Sequence, residues 1–179
     1  MPLVKRPQGW AFDAEAGKEE VIARRIGRNE LAAIRISRTY VKAQQLYAKT
    51  GHDGKAAGLY ARRIASDAGK QNGLYWPTAA GQPRSPLGEF MADAADARAK
   101  TPFHGYYFRI LEAQGSALPG LIAWPAQPEL TGVMTFIVNH DGVVFAKDLG
   151  PDTPTVARDI QTFDPDPSWH REPDIEPHL

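Results

Sequence analysis

The stretch that most constrains this chain is residues 132–150, GVMTFIVNHDGVVFAKDLG. Val133, Thr135 and Ile137 alternate with Met134, Phe136 and Val138, the period-two pattern of a strand covered on both faces. Asn139-His140-Asp141-Gly142 fits a type I turn that begins on Asn, with Gly142 in the left-handed position that closes a bulged hairpin. Residues 143–147 then return along the first strand. Burial of Val133, Phe136, Ile137 and Phe145 contributes roughly 1.5–3 kcal/mol each, enough to set this hairpin at the centre of a sheet.

A chain of 179 residues is sized for one domain with a substantial core. We assign that domain to residues 1–169 and read residues 170–179 as a flexible tail. Lys plus Arg and Asp plus Glu both number 21, so the formal net charge is zero. The broad basic surface that nucleic acid or an anionic membrane selects is missing, and no nucleic-acid partner is expected. The absence of cysteine excludes disulfides, thiol catalysis and zinc–thiolate sites. The longest apolar runs, such as residues 133–138, fall far below the ~20 residues that cross a bilayer, so no membrane span is expected. Residues 1–5 lead straight into a polar stretch without a signal-peptide pattern. The residues alone therefore suggest either a cytoplasmic chain or one whose leader has been removed.

Residues 1–12, with Pro2, Pro7 and Gly9, read as an irregular arm anchored by Trp10 and Phe12. Asp13 caps a helix from Ala14, and Glu15 lies where the macrodipole favours an acid. Gly27 interrupts that helix, and Asn29 caps a second segment through Lys49. On this segment Ala33, Ile36, Tyr40, Ala43 and Tyr47 recur at spacings of three and four, an apolar face that requires a flat partner. Residues 50–58 form a loop, 59–65 a short helix, and 69–86 a Gly- and Pro-rich surface segment with Leu74-Tyr75-Trp76 tucked down. Residues 86–99 read as a third helix. FHGYYFRILEA, from Phe103, and residues 121–124 read as strands, and 154–163 as a final helix with Thr153 as its cap. The expected fold is α+β: a long broken N-terminal helix packed on a small antiparallel sheet, with peripheral short helices.

No constellation in the sequence declares a reaction. His52, His104, His140, His170 and His178 form no HExxH pattern, the serines form no GxSxG elbow, and the glycines form no phosphate loop. No catalytic residue, metal ligand or cofactor is assigned. Arg24, Arg25 and Arg28, with exposed amides at Asn29, offer an anion-binding reading. The plain alternative is a solvated helix junction whose arginine stems pack over the core edge. Tyr75, Trp76 and Tyr106 are candidates for the stacking surface of a ligand sensor. His104 and Arg109 are candidates for a dispersed active site beside the sheet. The loop Gly51-His52-Asp53-Gly54-Lys55 hints at a cation site, yet one acidic side chain cannot supply the roughly six or more oxygens that calcium takes.

Several segments together carry a family likeness: PLVKRPQGWAFDAEAGKEE, ARRIGRNELAAI, GLYWP with SPLGEF, FHGYYFRIL, GVMTFIVNHDGVVFAKDLGPDT and FDPDPSW. They resemble an uncharacterised family of bacterial secreted proteins known only as a domain of unknown function. The resemblance runs from about Pro2 to Trp169. It implies a periplasmic or secreted location, because members carry an N-terminal signal sequence, and it brings no activity, substrate or catalytic residue. Relatives have a longer segment with another strand pair where Gln114-Gly115 here reaches Ala123-Trp124-Pro125 within seven residues. They also carry an acidic DxDGDG-like loop at residues 52–58. A smaller sheet and loss of any cation site are the expected consequences. More distantly, the chain is similar to the globular domain of type IV pilins and pseudopilins. There a long helix, here bearing Ala33, Tyr40, Gln44 and Tyr47, packs on a sheet that ends in a FIVNxDGVV-like hairpin. That likeness is one of fold.

The function these readings favour is a non-catalytic cell-envelope module acting in binding or assembly, with an envelope protein or a small ligand as partner. The rival readings are an enzyme using His104 and Arg109, and an envelope ligand sensor.

Overall fold

The computed structural model describes residues 2–78, 81, 84–88, 102–112 and 117–174. The hairpin of residues 132–150 forms as its sequence dictates. Strands β5 (Met134–Val138) and β6 (Val144–Asp148) pair antiparallel, with Val138 opposite Val144. The amide of Gly142 donates to the carbonyl of Asn139 at 3.1 Å, and Gly142 has φ +82°. The Asn139 side-chain oxygen accepts from the amides of Asp141 and Val143, which fixes the turn from within. On the other side of β5 lies β4 (Leu121–Pro125), then β3 (Tyr106–Ile110). A short β7 (His170–Arg171) pairs with β6, giving a five-stranded antiparallel sheet in the order β3-β4-β5-β6-β7 with β5 in the middle.

The sheet is covered on both sides, which explains the unbroken burial of β4 and of residues 135–138. Tyr106, Phe108, Leu121, Ala123, Phe136, Val138, Val144 and Ala146 face helix α1 (Ala14–Ala48). Ile122, Trp124 and Ile137 face the opposite way, under the short helix α2 (Thr153–Asp159) and Trp169. The architecture is mixed α+β: one long helix, a five-stranded antiparallel sheet, then α2 and the C-terminal segment.

Several expectations are corrected. The N-terminal helix is not broken: α1 runs unbroken through Gly27 for 35 residues. Glycine inside a helix costs about 1 kcal/mol against alanine, and contacts with the sheet region offset it. Asn29 does not cap a second segment; its side-chain amide donates to the carbonyl of Thr131 at 2.8 Å. One turn earlier Arg25 donates to the Leu130 carbonyl, and the adjacent Glu30 carboxylate accepts from the amides of Val133 and Met134. The helix thus grips the entry to β5 where a break was expected.

The irregular arm is instead a two-stranded hairpin, β1 (Leu3–Arg6) with β2 (Gly9–Phe12). Its Leu3, Trp10 and Phe12 are exposed rather than anchored. Residues 59–65 are irregular, not helical, and Ala65 bridges Tyr75 in parallel. The final helix is shorter than expected, ending at Asp159, and its N-cap is Asp152 rather than Thr153. The expected third helix over 86–99 lies outside the described residues beyond Gly88. Past Trp169, His170 and Arg171 pair with Ala146 and Phe145 as β7.

Replacing Gly142 tests the hairpin. An added Cβ there meets nothing within 4 Å, so the cost of Gly142→Val comes from the backbone alone. We expect roughly 1–2 kcal/mol of destabilisation in urea unfolding; an unchanged midpoint contradicts the left-handed assignment.

Candidate functional site

The C-terminal half of α1 places three polar side chains on its buried face. Gln44, wholly buried, donates to the Ala61 carbonyl at 2.8 Å and accepts from the Ala61 amide at 2.9 Å, so it pairs with that residue as a neighbouring strand would. It also donates to the Tyr40 hydroxyl at 3.0 Å, which in turn donates to the Pro119 carbonyl at 2.7 Å. Burial pushes the Tyr40 phenol well above its ordinary range, and the Gln44 hydrogen bond and the Arg62 charge partly oppose that rise. One turn on, the Tyr47 hydroxyl donates to the Gln71 carbonyl at 2.8 Å. Burial also raises the Tyr47 phenol, helped by the charge of Asp53.

These contacts hold two loops, residues 50–58 and 59–73, around a cleft of about 610 Å³. The volume is that of an ordinary small-molecule site. Further bonds join the loops. The Gly58 amide donates to the Ala48 carbonyl at 2.7 Å, and the Asp53 carboxylate accepts from the Gln71 amide at 2.9 Å. Gly51 is required here, because a Cβ would lie 2.4 Å from the Lys55 carbonyl oxygen. His52 stacks on Tyr47 with ring centres 4.0 Å apart and tilts against Trp76 at 5.5 Å. Its Nε2 lies 2.9 Å from the Tyr47 carbonyl and its Nδ1 3.3 Å from the Gln71 side-chain oxygen. The walls are of mixed chemistry: Leu59, Tyr60 and Ala61 on one part, Lys55, Arg62 and Lys70 on another.

The residues singled out from sequence lie elsewhere or serve other ends. Arg24 is paired with Glu20 at 2.6 Å and Arg25 is spent on the Leu130 carbonyl. Arg28 is exposed on the same stretch of α1. Because the helix is continuous there, the amide of Asn29 lies within its ladder and the anion site expected at a second helix start does not form. Trp76 is buried and Tyr106 wholly so, while Tyr75 is half-buried; the three rings share no exposed surface. The Tyr106 hydroxyl donates to the Met134 carbonyl at 2.9 Å. Its phenol is driven far up by burial, with the Glu30 charge adding to the effect.

His104 and Arg109 are not brought together. His104 stands exposed in a two-residue turn with φ +46°, followed by Gly105 at +74°, the pattern of a type I′ turn. Arg109 lies on the α2 side of the sheet and donates to the carbonyls of Ala157 at 3.1 Å and Ile160 at 2.5 Å. It closes the C-terminal end of α2, where a cation is favoured. Burial lowers its pKa, against the opposing charge of Glu112. Asp53 is engaged by a backbone amide, and among the described residues no three His, Asp or Glu side chains gather as a metal site would require.

Residues 1–171 match the model of the family described as "Protein of unknown function (DUF2950)", and the chain belongs to that family. No curated protein and no solved structure matches it. No helix among the described residues is long and apolar enough to cross a membrane.

The cleft depends on Gln44. We expect Gln44→Leu, of similar volume, to strand the buried amide and carbonyl of Ala61 and destabilise the fold by about 2–4 kcal/mol in urea unfolding. A loss under about 0.5 kcal/mol would contradict the role given to this side chain.

Proposed function

We propose that this protein is a non-catalytic binding module of the cell envelope and that it takes a small ligand in the cleft between residues 50–58 and 59–73. The observation that carries this reading is a cleft of ligand size held open by buried hydrogen bonds from α1. The two residues offered for a dispersed active site, His104 and Arg109, lie apart and Arg109 caps a helix, which favours binding over catalysis. The sensor reading based on Tyr75, Trp76 and Tyr106 loses its support with the burial of Tyr106. A pilin-like arrangement is supported by the long helix lying along an antiparallel sheet, again as an analogy of fold.

A thermal-shift screen of amino acids, sugars, short peptides and organic acids tests the cleft. A ligand present at about 100 times its Kd adds about 2.7 kcal/mol of stability, which raises the melting temperature of a domain this size by several degrees. We expect such a shift in the natural protein and its loss in Ala56→Trp, which fills the rim. A shift that survives Ala56→Trp would place binding elsewhere. The envelope location is proposed on the family resemblance. Fractionation of cells producing the full-length gene product should find it in the periplasm or medium, and recovery in the cytoplasm alone would overturn that placement.

A further inference from the structure

We infer that the ligand of this cleft is a small anion bearing several oxygens, of the phosphate or carboxylate class, gripped by Lys55, Arg62 and Lys70. The inference rests on the binding reading above and adds the chemistry of the ligand.

The first support is charge segregation. The whole chain is neutral, yet residues 49–70 carry five Lys and Arg against two Asp. Of the two carboxylates Asp67 pairs with Arg63 at 2.5 Å, while Asp53, which also lines the cleft, accepts from the Gln71 amide and keeps its charge, so the cations of the wall outnumber it. Lys55, Arg62 and Lys70 line the cleft and have no carboxylate partner among the described residues. Cations on an open surface are simply solvated. Cations around a concave, low-dielectric wall focus the field into the space between them.

The second support is rigidity. Arg62 follows directly on Ala61, whose amide and carbonyl are both fixed by buried Gln44. Arg62 itself is exposed on the cleft wall. Lys70 precedes Gln71, whose amide is held by Asp53 and whose carbonyl is held by Tyr47. Lys55 closes its own loop, with its amide donating to the His52 carbonyl at 2.9 Å and its carbonyl packed on Gly51. Three side chains anchored on such backbone lose less freedom on binding than cations on mobile loops. Phosphoryl and carboxylate groups both accept charge-assisted hydrogen bonds of this kind. The cleft volume limits the ligand to metabolite size.

Isothermal titration at low ionic strength with inorganic pyrophosphate and with citrate, and with glucose as the neutral control, tests the inference. We expect saturable one-to-one binding of at least one anion, weakened about tenfold or more in the Arg62→Glu/Lys70→Glu variant and unchanged in Lys18→Glu. Preference for pyrophosphate assigns the site to phosphoryl groups, and preference for citrate assigns it to carboxylates. If the double reversal impairs folding, Arg62→Gln/Lys70→Gln should still weaken binding. No binding of either anion, undiminished binding in both double variants, or equal weakening in Lys18→Glu overturns the inference. If the anions fail while a neutral compound shifts the melting temperature and Ala56→Trp abolishes that shift, the anion class falls and the cleft stands. If no compound of either kind responds to Ala56→Trp, both fall.

Discussion

A backbone segment that leaves water must find its hydrogen bonds somewhere, and residues 58–75 have almost no sheet or helix of their own in which to find them. They find them partly in one another, the amides of Leu74 and Tyr75 donating to the carbonyls of Arg63 and Ile64, and partly on α1. Gln44 supplies both partners of Ala61, Tyr47 takes the Gln71 carbonyl, and the end of the helix takes the Gly58 amide. The same helix, about four to six turns earlier, uses Arg25, Asn29 and Glu30 to hold the segment that leads into β5. A helix of 35 residues therefore fastens the central sheet at one end and the cleft loops at the other. Its apolar residues supply burial, and its buried polar residues determine where the irregular chain must lie.

The second face of the sheet is organised by a different polar side chain. Arg109 projects from β3 to the end of α2, and its guanidinium satisfies carbonyls that the short helix leaves open. Trp169 completes that layer, with Lys147 lying 5.8 Å above its ring and pairing with Asp166 at 3.5 Å. The hydrogen bond from Ser168 keeps the Asp166 carboxyl below the usual carboxylate range, assisted by Lys147. These contacts account for the continuation of the paired chain into β7.

The hairpin at 132–150 was legible because its signals are local: alternation, an Asn-initiated turn, and a Gly at the left-handed position. The apolar face of α1 through Ala33, Ile36, Tyr40 and Tyr47 was legible for the same reason. Gly27 misled, since a helix penalty of about 1 kcal/mol is small beside the tertiary bonds of Arg25, Asn29 and Glu30, and those partners lie more than 100 positions away. The non-helical course of residues 59–65 was hidden for a related reason: Leu59, Tyr60 and Ile64 suit one turn of helix, and the partners that determine otherwise, Gln44 for Ala61 and the amides of Leu74 and Tyr75 for the Arg63 and Ile64 carbonyls, are distant in sequence. The cleft itself left two sequence traces, a glutamine on the buried face of a helix and the loop of residues 51–55, which was read for a cation. Arg62 and Lys70 gave no signal, because isolated basic residues in loops are commonplace and only folding sets them around one space.

A family of unknown function thus has in this member a defined place to look, and its central claim is that α1 holds the cleft rigid before any ligand arrives. Amide hydrogen exchange on the unliganded protein addresses it most directly. The account predicts that the amides of Gly58 and Ala61 exchange nearly as slowly as those of β4 and β5, since opening them requires releasing α1. Exchange of those two amides at the rate of free loops, with the sheet still protected, would contradict it.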